Sequence, residues 1–333
     1  MTFDEAMAFQ AEFCEAGGAP VTARVCRALS AGLDRTTATG RRVRDWQGNY
    51  ITDALPLRLV APYHALFRGG KIAAFDTVDA IRAATMAHDA WIANWLDGPP
   101  QTNEPARSAT FMAALLVLAE RFALPFELLE IGSSAGLNLL IDRYRYDLGG
   151  STAGPDASPV LIRPDWRGAP PPMAAVRIDS VRGVDIAPID VTDPAAAERL
   201  MAYIWIDAPE RTARVEAAIR MIEAQPVDMV QGDAADWVET RLAEPQAAGT
   251  TRVLMHSIVW QYLPPATQAR ITAAMETAGA SATADHPLAW IRMEPDADRK
   301  TIQLHMTAWP GGDVEHLAAV HAHGAWLDWL GTS

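Results

Sequence analysis

The sequence has little cysteine: Cys14 and Cys26 are the two thiols in 333 residues. Two cysteines are too few for a disulfide framework or a cysteine-ligated zinc site, and their spacing matches no redox or metal-binding motif. We therefore expect both thiols to be reduced and buried. Histidine is concentrated near the carboxyl end, at His305, His316, His321 and His323. No carboxylate pattern accompanies these histidines, so we predict no metal site.

Positive charge is also scarce, with 28 Lys and Arg residues against 41 Asp and Glu, a net charge of −13. Such a chain repels phosphate backbones and anionic lipid, which argues against nucleic acid and membrane surfaces as partners. The longest apolar stretch, 111–119, is far shorter than the roughly 18 residues of a membrane span, and the acidic residues 1–5 are unlike a signal peptide. We expect a cytoplasmic protein with a small-molecule partner. The oligomeric state stays open.

With 50% apolar and 21% charged residues, the chain has the composition of a globular protein. Apolar residues in its first third recur mostly at helical spacing, as Phe9 and Phe13 do. The clearest helix is predicted between the N-cap Asp76 and the stop at Gly98. Two prolines follow at 99–100. The sequence therefore predicts a helical N-terminal region at 1–100 and a second domain at 101–333.

From residue 124 the pattern changes to strands that alternate with helices. The apolar run 126–131 predicts a strand, followed by a glycine turn and a helix carrying Leu137, Leu140, Ile141 and Tyr144. Further strands are predicted at 176–185, 227–231, 253–259 and 288–293, with helices at 194–204, 209–224 and 265–278. Alternation resumes from Ile302 and again at 317–323, which predicts an antiparallel hairpin. The sequence thus predicts an α/β fold with a mostly parallel sheet, interrupted by a looped insertion at about 146–176.

The glycine turn at 130–138 (Glu-Ile-Gly-Ser-Ser-Ala-Gly-Leu-Asn) is the strongest functional signal. Backbone N–H groups at the start of a helix favour an anionic ligand, and glycine lets the main chain approach that ligand closely. The dinucleotide fingerprint requires glycine where this chain has Ser134 and Leu137, so it fails twice. The alternative without function is a tight turn between a strand and a helix.

A second glycine pattern fits better: an acidic residue, a spacer and glycines at every second position, met by Glu130, Gly132 and Gly136 and missed at Ser134. Here the sequence resembles class I S-adenosylmethionine-dependent methyltransferases over about residues 104–333. With segments 101–104, 166–168 and 209–211, it is similar to a bacterial family of methyltransferase-like proteins described as a domain of unknown function. The resemblance implies a Rossmann-like fold, with a mostly parallel seven-stranded sheet and a C-terminal antiparallel hairpin.

The resemblance also implies roles for particular residues toward S-adenosylmethionine. The methionine end of the cofactor would be held by Glu130, Gly132, Ser133, Ser134, Gly136 and Asn138. Asp185, at the end of the second strand, would accept bonds from the ribose hydroxyls; the alternative is a cap or turn aspartate. Asp233 would meet the adenine amino group, and the backbone at Ala234 the ring. The alternative for Asp233 is a surface-loop aspartate.

Candidates for the chemistry itself lie outside the glycine turn. His256, near the end of the fourth strand, suits proton removal, although a histidine bonded within the sheet edge is an equal alternative. Trp260 follows it and is a candidate substrate contact. Asn103 and Glu104 would fold over the cofactor if the resemblance holds, and Asn103 could equally be a helix cap.

The insertion supplies a further hypothesis. Between residues 143 and 182 there are six arginines, among them Arg167, against four aspartates. Arg167 would then recognise a carboxylate or phosphate on the substrate; scattered surface arginines are the alternative. The expected function is methyl transfer from S-adenosylmethionine to a small molecule that could be anionic. The alternatives are a non-catalytic cofactor sensor on the same fold and, third, a nicotinamide oxidoreductase.

Overall fold

The computed structural model describes residues 1–296, 298 and 301–331. The described residues form ten α-helices: α1 (Phe3–Ala16), α2 (Pro20–Gly32), α3 (Ala38–Arg44), α4 (Leu55–Arg68), α5 (Val78–Trp95), α6 (Ser108–Phe122), α7 (Pro194–Ala202), α8 (Pro209–Ala224), α9 (Ala234–Ala243) and α10 (Pro265–Ala280). They also form twelve strands: β1 (Phe126–Ile131), β2 (Arg145–Leu148), β3 (Ser151–Ala153), β4 (Leu161–Ile162), β5 (Asp165–Arg167), β6 (Ile178–Asp185), β7 (Asp228–Gln231), β8 (Thr251–Ser257), β9 (Leu288–Pro295), β10 (Ile302–Trp309), β11 (Val314–Val320) and β12 (Trp326–Trp329). No helix in these ranges is both long and apolar enough to cross a membrane.

The first compact unit comprises Met1–Thr102 together with Thr192–Glu216. It is helical, and α1, α2, α4 and α5 enclose an apolar core in which Cys14 and Cys26 are buried as free thiols. The sequence did not predict that Thr192–Glu216 belongs to this unit. Asp207 explains part of that attachment, since its carboxylate accepts the N–H groups of Val21 and Thr22, both at 2.8 Å, at the start of α2.

The limits of α5 differ from the prediction. Thr77 is the N-cap, and its side chain accepts the N–H of Ala80 at 3.3 Å. Asp76 pairs instead with Arg24 at 3.2 Å. The helix ends at Trp95, three residues before Gly98.

The second unit comprises Asn103–Val191 and Ala217–Ser333, and its described residues contain a nine-stranded sheet. The order is β5-β12-β11-β10-β9-β8-β1-β6-β7. The five strands from β9 to β7 are parallel, whereas β10 is antiparallel to β9 and to β11. The α/β fold with a large, mostly parallel sheet is confirmed. The expected number of seven strands is wrong, because the sheet continues through β12 to β5.

Helices cover both faces of the parallel part of this sheet. On one face, α9 and α10 pack over Leu129, Ile131 and Leu254. On the other face, Thr110 of α6 contacts the sulfur of Met293 at 3.6 Å. Strand β1 is therefore buried on both sides, which is why it is a nearly continuous apolar run.

Three predictions about connections need correction. The helix expected after the glycine turn is only a 3-10 helix, Leu137–Leu140, since the Tyr144 and Tyr146 hydroxyls donate to the carbonyls of Leu137 and Ile141 and the chain turns into β2. The insertion is more ordered than a loop: β2, β3 and β4 form a small sheet, and β5 joins the large one. The predicted hairpin is β10 and β11, but its reversed strand β10 lies beside β9 and is followed by two more strands.

Candidate functional site

The glycine loop, defined here as residues 132–136, follows the carboxyl end of the central strand β1. On one side of β1 lie β6 and β7, and on the other lie β8 and β9. After β1 the chain therefore builds the sheet outward on one side, through β6 and β7. It then crosses over β1 and builds the other side, through β8 and β9. In open α/β sheets, ligands bind outside the carboxyl ends of the strands at such a reversal. The geometry makes this edge the first candidate site.

Three residues of the glycine loop have left-handed backbone: Gly132 (φ 69°), Ser134 (φ 55°) and Gly136 (φ 74°). A Cβ on Gly132 would lie 2.4 Å from Cγ2 of Val259, and one on Gly136 would lie 2.9 Å from Cγ2 of Val227. Both glycines are therefore required by conformation and by space. Ser134 occupies the same backbone region at a cost of about 1–2 kcal/mol.

Gly132→Ala is expected to destabilise the protein by about 1–3 kcal/mol, since the added methyl group collides with Val259 in a strained conformation. Urea unfolding measures this effect. The matched control is Gly232→Ala, where the nearest atom to a Cβ is 3.5 Å away and the expected change is below about 1 kcal/mol. In the Gly132→Ala background, Val259→Ala should restore part of the loss. Equal effects of the two glycine substitutions would contradict this account of the loop.

Most amides of the loop are already bonded within the protein. Gly132 N–H donates to Val184 O (2.9 Å), Ser134 N–H to Asp185 Oδ2 (2.8 Å), Gly136 N–H to Ser133 O (2.7 Å) and Leu137 N–H to Asn103 Oδ1 (2.7 Å). The loop is thus held rigidly by these bonds. Because those amides are occupied and no α-helix starts here, the anion-binding argument made from the sequence is not supported by the loop's geometry.

Glu130 and Asn138 place unsatisfied acceptors beneath the loop. Glu130 is 1% exposed, and its Oε1 accepts a hydrogen bond from Asn138 Nδ2 at 3.1 Å. Glu130 Oε2, Asn138 Oδ1 and the hydroxyl of Ser134 are buried and have no hydrogen-bond partner among the described residues. Burial raises the pKa of Glu130 to about 7. Two acceptors without donors suit a ligand that brings an N–H group, above all an ammonium.

Asp185 ends β6 directly beside the loop, as predicted. Its Oδ2 accepts the N–H of Ser134 at 2.8 Å, and its Oδ1 accepts the N–H of Ala187 at 2.8 Å. The carboxylate therefore fixes the loop and its own turn, as the turn-aspartate alternative requires. A carboxylate offers about four lone-pair positions, so these two bonds leave acceptor capacity for a ligand hydroxyl.

Asp233 follows β7, the next strand along the edge. Its Oδ1 accepts the N–H groups of Ala235 (2.9 Å) and Asp236 (3.1 Å), which makes it the N-cap of α9, and Ala234 is the first residue of that helix. A capping role was not predicted for Asp233. The glycine loop, Asp185 and Asp233 nevertheless lie at the carboxyl ends of three adjacent strands, β1, β6 and β7 in that order.

Asn103 and Glu104 reach the loop region from the segment before α6. Asn103 Oδ1 accepts the N–H of Leu137, the residue directly after the loop, at 2.7 Å; it does not cap α6, whose first residue is Ser108. Glu104 is fully buried, and its Oε1 accepts the N–H of Ala106 at 3.1 Å. Both residues therefore act first in holding the backbone around the site.

His256 lies in a polar cluster at the ends of β8 and β9. It is fully buried, its Nδ1 lies 2.6 Å from Glu294 Oε1, and its ring stacks on Trp260 with centroids 5.1 Å apart. The same Glu294 oxygen accepts the N–H groups of Val259 (3.1 Å) and Trp260 (3.3 Å). Because this oxygen already accepts two backbone N–H groups, it suits the tautomer of His256 that donates from Nδ1, in which Nε2 is a hydrogen-bond acceptor.

Glu130 and His256 lie on opposite faces of the sheet. Glu130 pairs with Met255 across β1 and β8, and His256 is the residue after Met255. Because successive side chains in a strand point to opposite faces, Glu130 faces the α6 side and His256 the α10 side. Val259 follows His256 in the chain and lies close to Gly132, which follows Glu130. The segments that carry His256 and Glu130 therefore meet at the carboxyl edge of the sheet.

Arg167 is not brought to this edge. It lies in β5, six strands from β1, which corresponds to roughly 29 Å at the usual strand spacing. It pairs with Asp165 at 3.1 Å and lies over the ring of Trp326 at 5.0 Å. Other arginines of this stretch also have acidic partners, including Arg145 with Asp156. A small ligand at the glycine loop does not span that distance, so the substrate hypothesis for Arg167 is not carried further.

Three further residues of the cluster lie in β9 and were not predicted from the sequence: Trp290, Arg292 and Glu294. They alternate in the strand and share the face of His256, which pairs with Arg292. The sequence pattern of β9 could have identified them. A tryptophan, a cation and an acid at every second position are unusual in a buried strand. Among residues 1–296, 298 and 301–331, no group of three or more His, Cys, Asp or Glu side chains is arranged to hold a metal ion.

The fold and the site define a mixed α/β protein with a candidate ligand site at the carboxyl edge of a large, mostly parallel sheet. The chain belongs to the family described as "Uncharacterized protein conserved in bacteria (DUF2332)", whose model matches residues 4–329. No curated protein and no solved structure matches it.

Proposed function

We propose that this protein binds S-adenosylmethionine at the carboxyl edge of its sheet and transfers the methyl group to a small molecule. One observation carries the proposal: the glycine loop, Asp185 and Asp233 follow three adjacent parallel strands in the order β1, β6, β7. That order suits an elongated ligand with an amino acid end, a ribose and a base. The resemblance of 130–138 to the methyltransferase glycine pattern points the same way.

The strand order gives further support. The five parallel strands can be numbered by their order along the chain, from β1 as the first to β9 as the fifth. Across the sheet from β7 to β9, they then stand in the order third, second, first, fourth, fifth. Doubly wound folds that bind nucleotides have this order and place the ligand at the end of the first strand. The reversed strand β10 beside β9 also suits a methyltransferase-like sheet, although β12 and β5 run in the same direction as β10 and extend the sheet further.

Each residue has a role that its contacts allow. Glu130 Oε2 and Asn138 Oδ1 would accept bonds from the ammonium of the methionine end, which satisfies both buried acceptors. Asp185 would accept from the ribose and Asp233 from the adenine amino group. The cofactor would supply an electrophilic methyl group. His256, oriented by Glu294, would accept the proton that the methyl acceptor loses.

The second candidate function is a non-catalytic cofactor sensor on the same fold. It is favoured by the internal bonding of the loop amides and by the complete burial of His256. Binding of S-adenosylmethionine without turnover on a broad set of acceptors would support it over the enzyme.

Asp185→Ala is expected to weaken S-adenosylmethionine binding at least tenfold, because it removes the ribose acceptor and the bond to Ser134. Calorimetric titration with S-adenosylmethionine and S-adenosylhomocysteine tests this, with NADH and NADPH as controls for cofactor type. The matched variant is Asp179→Ala, an exposed aspartate at the other end of β6, which should bind as wild type does. If the folded wild-type protein binds neither adenosyl compound, the proposed function is wrong.

A further inference from the structure

A cleft of about 720 Å³ lies between α10 and strands β9 and β10. Its walls include Trp260, Trp290 and Trp309, together with Thr307 and His305. The rings of Trp260 and Trp290 are 5.5 Å apart at an angle of 63°. The volume and the aromatic walls are those of a small-molecule site.

Four residues that line this cleft each carry a polar atom that is buried without a hydrogen-bond partner among the described residues: Trp290 Nε1, Arg292 Nε, His256 Nε2 and Glu294 Oε2. Buried polar groups in native proteins nearly always have partners, and an isolated exception calls for a missing water or ligand. Four exceptions that share one cleft indicate a ligand with complementary groups. His256 is fully buried and Trp290 is 4% exposed.

Arg292 defines the charge that the ligand brings. Its guanidinium lies 4.6 Å from the centre of the Trp290 ring and donates to the Thr307 hydroxyl at 3.0 Å, and no carboxylate in the described residues pairs with it. Burial lowers the pKa of this guanidinium below its ordinary value. A planar guanidinium held against a ring presents its remaining N–H groups to a carboxylate or phosphate.

The acids of the cleft distinguish between these two anions. Glu276 and Glu294 also line it, so the one arginine is accompanied by two carboxylates. This balance opposes a dianionic phosphate and allows a carboxylate with a single charge. Glu294 Oε2 in turn requires a hydrogen-bond donor, and His256 Nε2, the ring nitrogen that does not contact Glu294, is also without a partner in the described residues.

We propose that this cleft binds a small aromatic carboxylate that carries a hydroxyl or amino group. The carboxylate pairs with Arg292, the ring lies against Trp260 and Trp290, and the hydroxyl or amino group meets Glu294 and His256. The binding site stands independently of the cofactor. That its occupant is the methyl acceptor rests on the proposed function, with His256 taking the proton of that hydroxyl or amino group.

The probes are 4-hydroxybenzoate and 4-aminobenzoate, titrated into the full chain without cofactor, with 4-hydroxybenzamide as the uncharged analogue. Both acids are expected to bind to wild type, and the amide at least tenfold more weakly. Arg292→Met keeps the stem against Trp290 and should lose at least tenfold in affinity, while Arg292→Lys should lose less because it keeps a point charge. Arg220→Met, at an exposed arginine of α8, is the matched control and should bind as wild type does.

A thermal melt of each variant shows whether it is folded. If neither acid binds to folded wild type, or if the amide binds as well as the acids, the proposal is overturned. Unchanged affinity of folded Arg292→Met also overturns it. These results are separate from the S-adenosylmethionine titration, which tests the proposed function alone.

Discussion

Replacing Glu130 with Gln is expected to leave stability almost unchanged at pH 4.5 and to raise it by on the order of 3 kcal/mol at pH 8. Burial raises the pKa of Glu130 to about 7 in the folded protein, against about 4.3 in an unfolded chain. Between these values the folded state holds the extra proton, so the contribution of Glu130 to stability is fully present below about pH 4.3 and is lost as the pH rises through 7. Glutamine stays neutral and still accepts from Asn138.

Urea unfolding of wild type and Glu130→Gln at intervals between pH 4.5 and 8 measures this difference. Glu120→Gln, an exposed position on α6, is the control and should follow the pH dependence of wild type. Parallel pH profiles for wild type and Glu130→Gln would contradict the burial argument.

The same titration connects Glu130 to ligand binding. An ammonium ligand pairs with the ionised carboxylate, so affinity for S-adenosylmethionine should fall by up to tenfold per pH unit below about 7. In Glu130→Gln that pH dependence should disappear, and affinity at pH 8 should fall by about tenfold or more because a charged hydrogen bond is lost. Identical pH dependence of binding in the two proteins would mean that Glu130 does not meet the ligand's ammonium.

Arg252→Met is expected to destabilise the protein by about 3–5 kcal/mol. Arg252 is buried at the start of β8, where its guanidinium lies 2.8 Å from the carboxylate of Glu127 on β1. It also donates to the carbonyls of Arg241 (2.9 Å) and Glu244 (3.0 Å). Methionine fills similar space but leaves a shielded carboxylate and two carbonyls without their donor.

Urea unfolding again supplies the measurement, and Arg270→Met is the matched control. Arg270 pairs with Asp236 and Glu239 at an exposed site, where solvent screening makes the expected loss much smaller than at Arg252. Adding Glu127→Met to Arg252→Met should recover most of the loss, since the uncompensated charge is removed. A loss at Arg252 as small as that at Arg270 would contradict this interpretation of the ion pair.

The local sequence predicted β1 and the turn after it well. A short apolar run is typical of a strand that is buried on both faces. A glycine directly after it marks the point where the strand ends in left-handed backbone. The 3-10 helix at Leu137–Leu140 was not predictable in this way. Its apolar spacing of three fits a helical turn, and only the distant pairing of β2 and the tyrosine hydroxyls shows why the helix stops.

For the candidate site residues too, the local sequence predicted some features and the tertiary structure decided others. The position of Asp185 at a strand end followed from its place in the sequence, but its two bonds to backbone amides depend on how the glycine loop folds against β6. Arg167 shows the opposite case. Its local charge suggested a substrate contact, whereas the pairing of β5 with β12 places it at the far end of the sheet.

By itself, the sequence determined the α/β class, the strand that carries the glycine loop and the acidic residues that follow the neighbouring strands, because each depends on hydrophobic period and local backbone preference. The tertiary structure alone decided the number and order of the strands, and it brought His256, Arg292 and Trp260 to one cleft. Strand pairing and the partners of buried polar groups depend on residues far apart in the chain, and no local pattern specifies which of them meet.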